Sequence, residues 1–137
     1  MLLLPGKGVS IIGEPLSAED FDKAGSFLAK IKPLLFTGQC TFRQSEKNRL
    51  FDRLHPLTNE QKTNIIQSLL AEDCVKIEPN NNPRYSESEV YVFIKTLQIT
   101  SYGEEETVSL YIKMYLNEQD RMDFVIVISF HIEGLYD

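Results

Sequence analysis

Three runs in the last third of the chain, Glu89 to Ile99, Val108 to Leu116 and Phe124 to Ile132, are rich in Val, Ile, Tyr and Phe. Short polar turns separate them. Such residues fit a pleated, half-buried surface, and strands joined this closely pair antiparallel. The spacing therefore predicts a meander of three strands, and everything upstream must supply what covers it.

Side chains alternate across a strand, so each run sorts into two faces. In the second run Leu110, Ile112, Met114 and Leu116 share one face, and Tyr111, Lys113 and Tyr115 the other. Phe124, Ile126, Ile128 and Phe130 oppose Val125, Val127, Ser129 and His131 in the third. Val90, Val92 and Ile94 oppose Glu89, Tyr91, Phe93 and Lys95 in the first. The aliphatic faces are expected beneath helices. The remaining face collects Lys95, Lys113, Tyr91, Tyr111, Tyr115, Ser129 and His131. One explanation is an ordinary solvent-facing sheet, where Tyr and Lys are at home. The sharper one is a concave site in which lysines neutralise a phosphate, phenols stack or donate, and an imidazole moves a proton.

Upstream, the periodicity predicts helices. Over residues 16–33, Ser17 can cap the N-terminus, and Leu16 can staple against Phe21. Phe21, Ala24, Phe27, Leu28 and Ile31 recur at helical spacing, and Pro33 should stop the helix. A short helix is expected over 45–55, with Leu50, Phe51 and Leu54 inward. A capping box of Thr58 and Gln61 opens a third, with Ile65, Ile66, Leu69 and Leu70 buried. Residues 8–14 and 35–42 read as short extended segments, and 78–88, rich in Asn, Pro and Ser, as a surface loop. Helices first and sheet last indicate an α+β fold, with N-terminal helices packed on one face of a C-terminal antiparallel sheet of three or more strands. A chain of 137 residues, 42% of them hydrophobic, suits one domain. Its parts are an N-terminal extension with one helix (1–35) and an α+β core (36–137).

The net charge of -6 is unevenly spread: residues 1–103 balance twelve basic against twelve acidic side chains, and 104–137 hold two against eight. An acidic balance argues against loose coating of nucleic acid but permits one local basic site. Arg43, Lys47, Arg49 and Arg53 form the one basic cluster, on the second helix. Singly each is an ordinary solvated residue; as a set they are candidate phosphate contacts. Two cysteines without CxxC spacing make no disulfide framework, and two histidines without clustered ligands make no zinc site, so no metal or cofactor is expected. The apolar run Met1 to Leu4 is too short for a signal peptide or membrane span, which predicts a cytoplasmic protein without a membrane partner.

The succession "NIIQSLLAEDCVKI", "EVYVFIK", "SLYIKMYL" and "FVIVISFH" resembles the MqsR-like branch of the RelE-type bacterial toxins. The shared order is a helix running into an Asp-x-x-Lys element, a strand with an aromatic, a Tyr-x-Lys strand and a final Ile-Ser-Phe strand. It covers roughly Gln61 to Glu133, and "CTFRQSEKNRL" is similar to the segment preceding that helix in some members. The resemblance implies a metal-independent mRNA endoribonuclease of a type II toxin–antitoxin pair, with an RNA substrate and an antitoxin partner. The ribose 2′-OH would attack the adjacent phosphorus, leaving a cyclic phosphate and a free 5′-OH. Lys76 matches the lysine at the end of the family's helix, Tyr111 an active-site tyrosine, and His131 stands at a lysine position. Val92, after Tyr91, stands where the family has an active-site glutamine, and the acidic balance is a second departure. On this reading Lys76, Lys95, Tyr111, Lys113 and His131 are catalytic, and Arg43, Lys47, Arg49, Arg53 and Tyr91 bind RNA. The alternative is a non-catalytic module of the same fold that docks a partner protein through the sheet face.

Overall fold

The computed structural model describes residues 15–119 and 121–134. The extended stretch expected at 8–14 lies outside them. Helix α1 (Ala18–Phe36) comes first, then strand β1 (Cys40–Phe42), helices α2 (Glu46–Leu54) and α3 (Asn59–Gln67), and strands β2 (Cys74–Glu78), β3 (Val90–Ser101), β4 (Glu104–Asn117) and β5 (Phe124–Ile132). The strands form one sheet in the order β1-β5-β4-β3-β2. No helix among the described residues is long and apolar enough to cross a membrane.

The fold is α+β, with the helices on one side of the sheet, but the sheet is mixed. β2, β3, β4 and β5 pair antiparallel, whereas β1 lies parallel to β5, Cys40 beside Val125. This corrects the purely antiparallel expectation. A strand of three residues carries no periodicity that could announce its direction, and nearly the whole fold separates it from its partner in sequence.

The caps behave as their chemistry requires. Ser17 and Ser45 accept N–H bonds from Asp20 (3.1 Å) and Asn48 (3.2 Å), and Thr58 and Gln61 close both halves of their box (3.1 and 2.8 Å). Pro33 does not stop α1, which runs one further turn and buries Leu35. Both Pro33 and Ala29, whose carbonyl loses its amide partner there, face water, so the missing bond is replaced by solvent. The inward stripe of α1 is Ala24, Phe27, Leu28, Ile31 and Leu35; Phe21 is exposed instead. Leu54 and Leu70, also expected inside, are exposed, while Phe51, Ile66 and Leu69 are buried.

The β3–β4 hairpin is tighter than expected. Tyr102 and Gly103 have φ of 54° and 82°, the geometry of a two-residue turn that follows strand twist. Glu104, Glu105 and Glu106 therefore belong to β4 and not to a loop.

Candidate functional site on the open face of the sheet

Register decides which residues meet. Tyr91, Phe93 and Lys95 of β3 lie opposite Met114, Ile112 and Leu110 of β4, so they share the helix-covered face. Tyr91 stacks flat on Phe27 of α1, with centroids 4.0 Å apart. Lys95 lies 3.4 Å from the Asp73 carboxylate, which also accepts the Leu70 N–H at 2.8 Å and so caps the short 3-10 turn Ala71–Asp73. Lys95 and Tyr91 are therefore absent from the open face, contrary to the expectation from alternation. The apolar side chains that fill the helix-covered face of β3 are Tyr91, Phe93, Leu97 and Ile99, while Val90, Val92 and Ile94 take the other side. With both faces of a strand apolar, alternation alone does not say which is covered.

A second shift occurs in β5. Lys113 pairs with Ser129 but Met114 pairs with Val127, so Ile128 is an extra residue between them. This bulge turns Val125, Val127 and Phe130 together toward the helices and puts Ser129 and His131 on the open face with Phe124 and Ile126. Asn48 of α2 holds it in place. Its amide nitrogen donates to the carbonyls of Arg43 (2.9 Å) and Ile128 (3.0 Å), and its oxygen accepts the Phe130 N–H (2.9 Å). The side chain takes over the edge of β5 just beyond the point where β1 ends.

What remains on the open face is ordered in rows. Lys76, Val92, Lys113 and Ser129 lie side by side on β2, β3, β4 and β5. One step along, Ile94, Tyr111 and His131 form the next row. Tyr111 and His131 stack at 5.5 Å with an interplanar angle of 17°. The His131 Nδ1 is 3.0 Å from the Ile132 carbonyl. A carbonyl only accepts, so Nδ1 carries the hydrogen and a neutral ring keeps its lone pair at Nε2.

Glu78, on the same face of β2 as Lys76, binds both lysines: 2.8 Å to Lys113 Nζ and 3.3 Å to Lys76 Nζ. Burial alone would push its carboxyl pKa up, but the hydrogen bond and charge of Lys113, then those of Lys76, outweigh this and hold it below the ordinary value. Beyond Glu78 a small cavity of about 130 Å³ is lined by Arg43, Lys113, Tyr115, Val90, Ile128 and the Asn80–Asn82 stretch. Tyr85, from the loop that folds over this end, meets Tyr115 at 5.4 Å. The Tyr115 phenol is raised by burial, against the nearby Arg43 charge that lowers it, and stays protonated at neutrality.

The basic cluster divides. Arg43 joins the open face through this cavity, whereas Arg49 donates to the Gln44 carbonyl (2.9 Å). Arg53 lies at the far end of α2, where its carbonyl accepts the Tyr102 hydroxyl (2.8 Å). Lys47 is half-buried in the first turn of α2. Of the sequence candidates, Lys76, Tyr111, Lys113, His131 and Arg43 come together on one face.

No protein-family model, curated protein or solved structure matches this chain.

Glu78 and the Tyr85–Tyr115 pair were not anticipated. For Glu78 a signal existed: "VKIE" alternates, and two polar residues at i and i+2 of a strand share a face. Tyr85 carried no such signal, since a loop residue has no periodicity to place it.

Proposed function

We propose that the open face is the active surface of a metal-independent endoribonuclease, as the toxin resemblance implies. The observation that supports this best is the convergence of Lys76 and Lys113 with the stacked Tyr111–His131 pair, in adjacent rows of one face. RNA enters as an anion and competes with Glu78 for the two ammonium groups. Lys113 then stabilises the charge that builds on the phosphorane, and Lys76 holds the adjoining backbone. His131 accepts the 2′-OH proton at Nε2 while the 2′-oxygen bonds to phosphorus. Tyr111 donates its proton to the departing 5′-oxygen, leaving a 2′,3′-cyclic phosphate, and water restores both groups. Arg43 offers a charge and Tyr85, packed on the buried Tyr115, a ring edge to the flanking nucleotides.

The experiment is RNA cleavage by the purified chain in EDTA, with cyclic phosphate and 5′-OH ends identified on the products. Lys113→Ala is expected to slow cleavage by about 10²- to 10³-fold. The proposal fails if the wild type leaves a mixed RNA pool intact, or if Lys113→Ala cuts equally fast.

A second reading is favoured by two specific observations. Glu78 already engages both lysines, and His131 is only 4% exposed. Both suit a docking face that recognises a partner protein and performs no chemistry. In that case a complex would cover Tyr111 and Lys113, and no nuclease activity would appear after the partner is stripped away.

A further inference from the structure

The small cavity beyond Glu78 takes no part in the phosphate chemistry, yet it opens beside it. Its floor is Val90, which pairs with Glu78, and Tyr115, two residues on from Lys113. Both are 2% exposed, so the floor is closed and largely apolar. Two residues along a strand cover about 7 Å, which is the span from a nucleotide's phosphate to its own base. One wall is Ile128 with the exposed Arg43, and the other is the Asn80–Asn82 stretch. That stretch is shaped in advance. The Asn80 side chain accepts the Asn82 N–H (3.0 Å) and donates to the Ser88 carbonyl (3.1 Å), and the Asn82 side chain accepts the Arg84 N–H (3.0 Å). A wall fixed by its own hydrogen bonds loses little freedom when a ligand arrives.

Size and polarity then narrow the ligand. The volume, about 130 Å³, is close to the roughly 150 Å³ that admits one benzene ring. A single six-membered ring enters, and the fused rings of a purine do not. Glu78 lines the cavity with a carboxylate, which only accepts, and Arg43 with a guanidinium, which only donates. A carboxylate has about four acceptor sites, and the two lysines occupy two of them. When phosphate draws the ammonium groups away, Glu78 is left half-buried and in need of donors. Cytosine answers both groups: its exocyclic amine donates to the carboxylate, and its ring nitrogen and carbonyl accept from the guanidinium. Uracil turns a carbonyl toward Glu78 where cytosine has the amine, and two acceptors repel.

We propose that this cavity is the base subsite of the open face and selects cytosine, Glu78 reading the amine and Arg43 the acceptor edge. That its ligand is RNA rests on the ribonuclease reading; the choice among bases rests on the cavity.

Binding and cleavage are measured separately. Fluorescence anisotropy uses 2′-fluoro hexamers AAXAAA, which lack the attacking hydroxyl, with X each of the four bases; cleavage uses the ribose counterparts. The cytosine hexamer should bind about tenfold more tightly than the uracil one, and both purine hexamers more weakly than either. Glu78→Gln, whose amide can turn to either pyrimidine, should bring the cytosine-to-uracil ratio close to one, whatever it does to overall affinity. Ile128→Ala, which widens the cavity, should raise adenine and guanine relative to cytosine. Thermal melts of the variants guard against misfolding. Equal binding of the four hexamers by the wild type overturns the proposal, as does an unchanged cytosine-to-uracil ratio in Glu78→Gln. Cytosine preference in binding without cleavage of any ribose hexamer keeps the subsite and removes the nuclease. Cleavage with no base preference does the reverse, and neither binding nor cleavage removes both.

Discussion

The Lys113 ammonium lies 2.8 Å from the Glu78 carboxylate, and Glu78 also reaches Lys76, so one acid holds two cations across three strands. Glu78 has a carboxyl pKa lowered below its ordinary 4.5. A folded-state pKa below the unfolded one adds stability above the unfolded value, and this is lost as pH falls through the folded value. Urea midpoints should therefore decline below about pH 4.5, and Glu78→Gln should flatten that acid limb. A wild-type midpoint that is level down to pH 3 would show the pair contributes nothing.

The same contact makes a prediction about RNA. If Glu78 competes with phosphate for Lys76 and Lys113, Glu78→Gln should bind RNA more tightly and with a steeper salt dependence, by about one extra phosphate contact. The Lys76→Ala variant should lose about the same increment. Fluorescence anisotropy across a salt series checks both slopes, and identical slopes in all three proteins would remove these lysines from the binding face.

Histidine is the side-chain type that changes charge near neutrality, and His131 has its Nδ1 hydrogen committed to a carbonyl. Cleavage that uses Nε2 as the base should slow about 10²-fold in His131→Gln. Tyr111→Phe keeps the ring stacked on the imidazole but removes the phenolic proton, and it should slow cleavage by a similar factor. Unchanged cleavage in His131→Gln assigns the imidazole a packing role.

Much of this architecture is written in local patterns. The three capping serines and threonines, the α3 capping box and the bounds of β5 follow from hydrogen-bond chemistry and period-2 alternation, which act within a few residues. The site was half legible. Tyr111 and Lys113 are neighbours in one strand, so alternation alone puts them on one face. Placing Lys95 required knowing which face of β3 the helices cover, and placing His131 required the Ile128 bulge. Both depend on partners far away in sequence: Phe27 selects the Tyr91 face, and Asn48 fixes the bulge. His131 reached the expected face relative to Tyr111, while Val125 and Val127, grouped with it by simple alternation, went to the core.

Asn48 is 6% exposed, and its amide satisfies three backbone groups: the Arg43 and Ile128 carbonyls and the Phe130 N–H. Asn48→Ala leaves them without partners at a buried edge, a loss of about 3 kcal/mol. Chemical unfolding should read this directly. Because the bulge sets the orientation of Ser129 and His131, the Tyr111–His131 stack should also loosen, visible as changed ring chemical shifts in the folded fraction. An Asn48→Asp variant keeps the acceptor for Phe130 but sets a carboxylate oxygen against the Arg43 and Ile128 carbonyls, and it should be at least as destabilised as Asn48→Ala. Equal stability of all three proteins would mean that the bulge is held by strand pairing alone.

Cys40 and Cys74 stand on the helix-covered face, where burial pushes their thiols up to about 12 and about 11. For Cys74 burial outweighs the backbone hydrogen bonds that act in the opposite sense. The thiolate is the reactive form, so both should react slowly with a disulfide reagent at pH 8 in the folded chain and quickly in urea. A folded pKa raised above the unfolded one gives stability that is full below the unfolded value and lost as pH climbs toward the folded value. The unfolded chain releases protons that the folded chain retains, and ΔG of unfolding falls with pH in that window. Stability should thus decline from about pH 8.5 upward, and the decline should be shallower in Cys40→Ala/Cys74→Ala. Rapid labelling of the native protein at pH 8 would place at least one sulfur in a more open and more polar setting than the sheet's covered face provides.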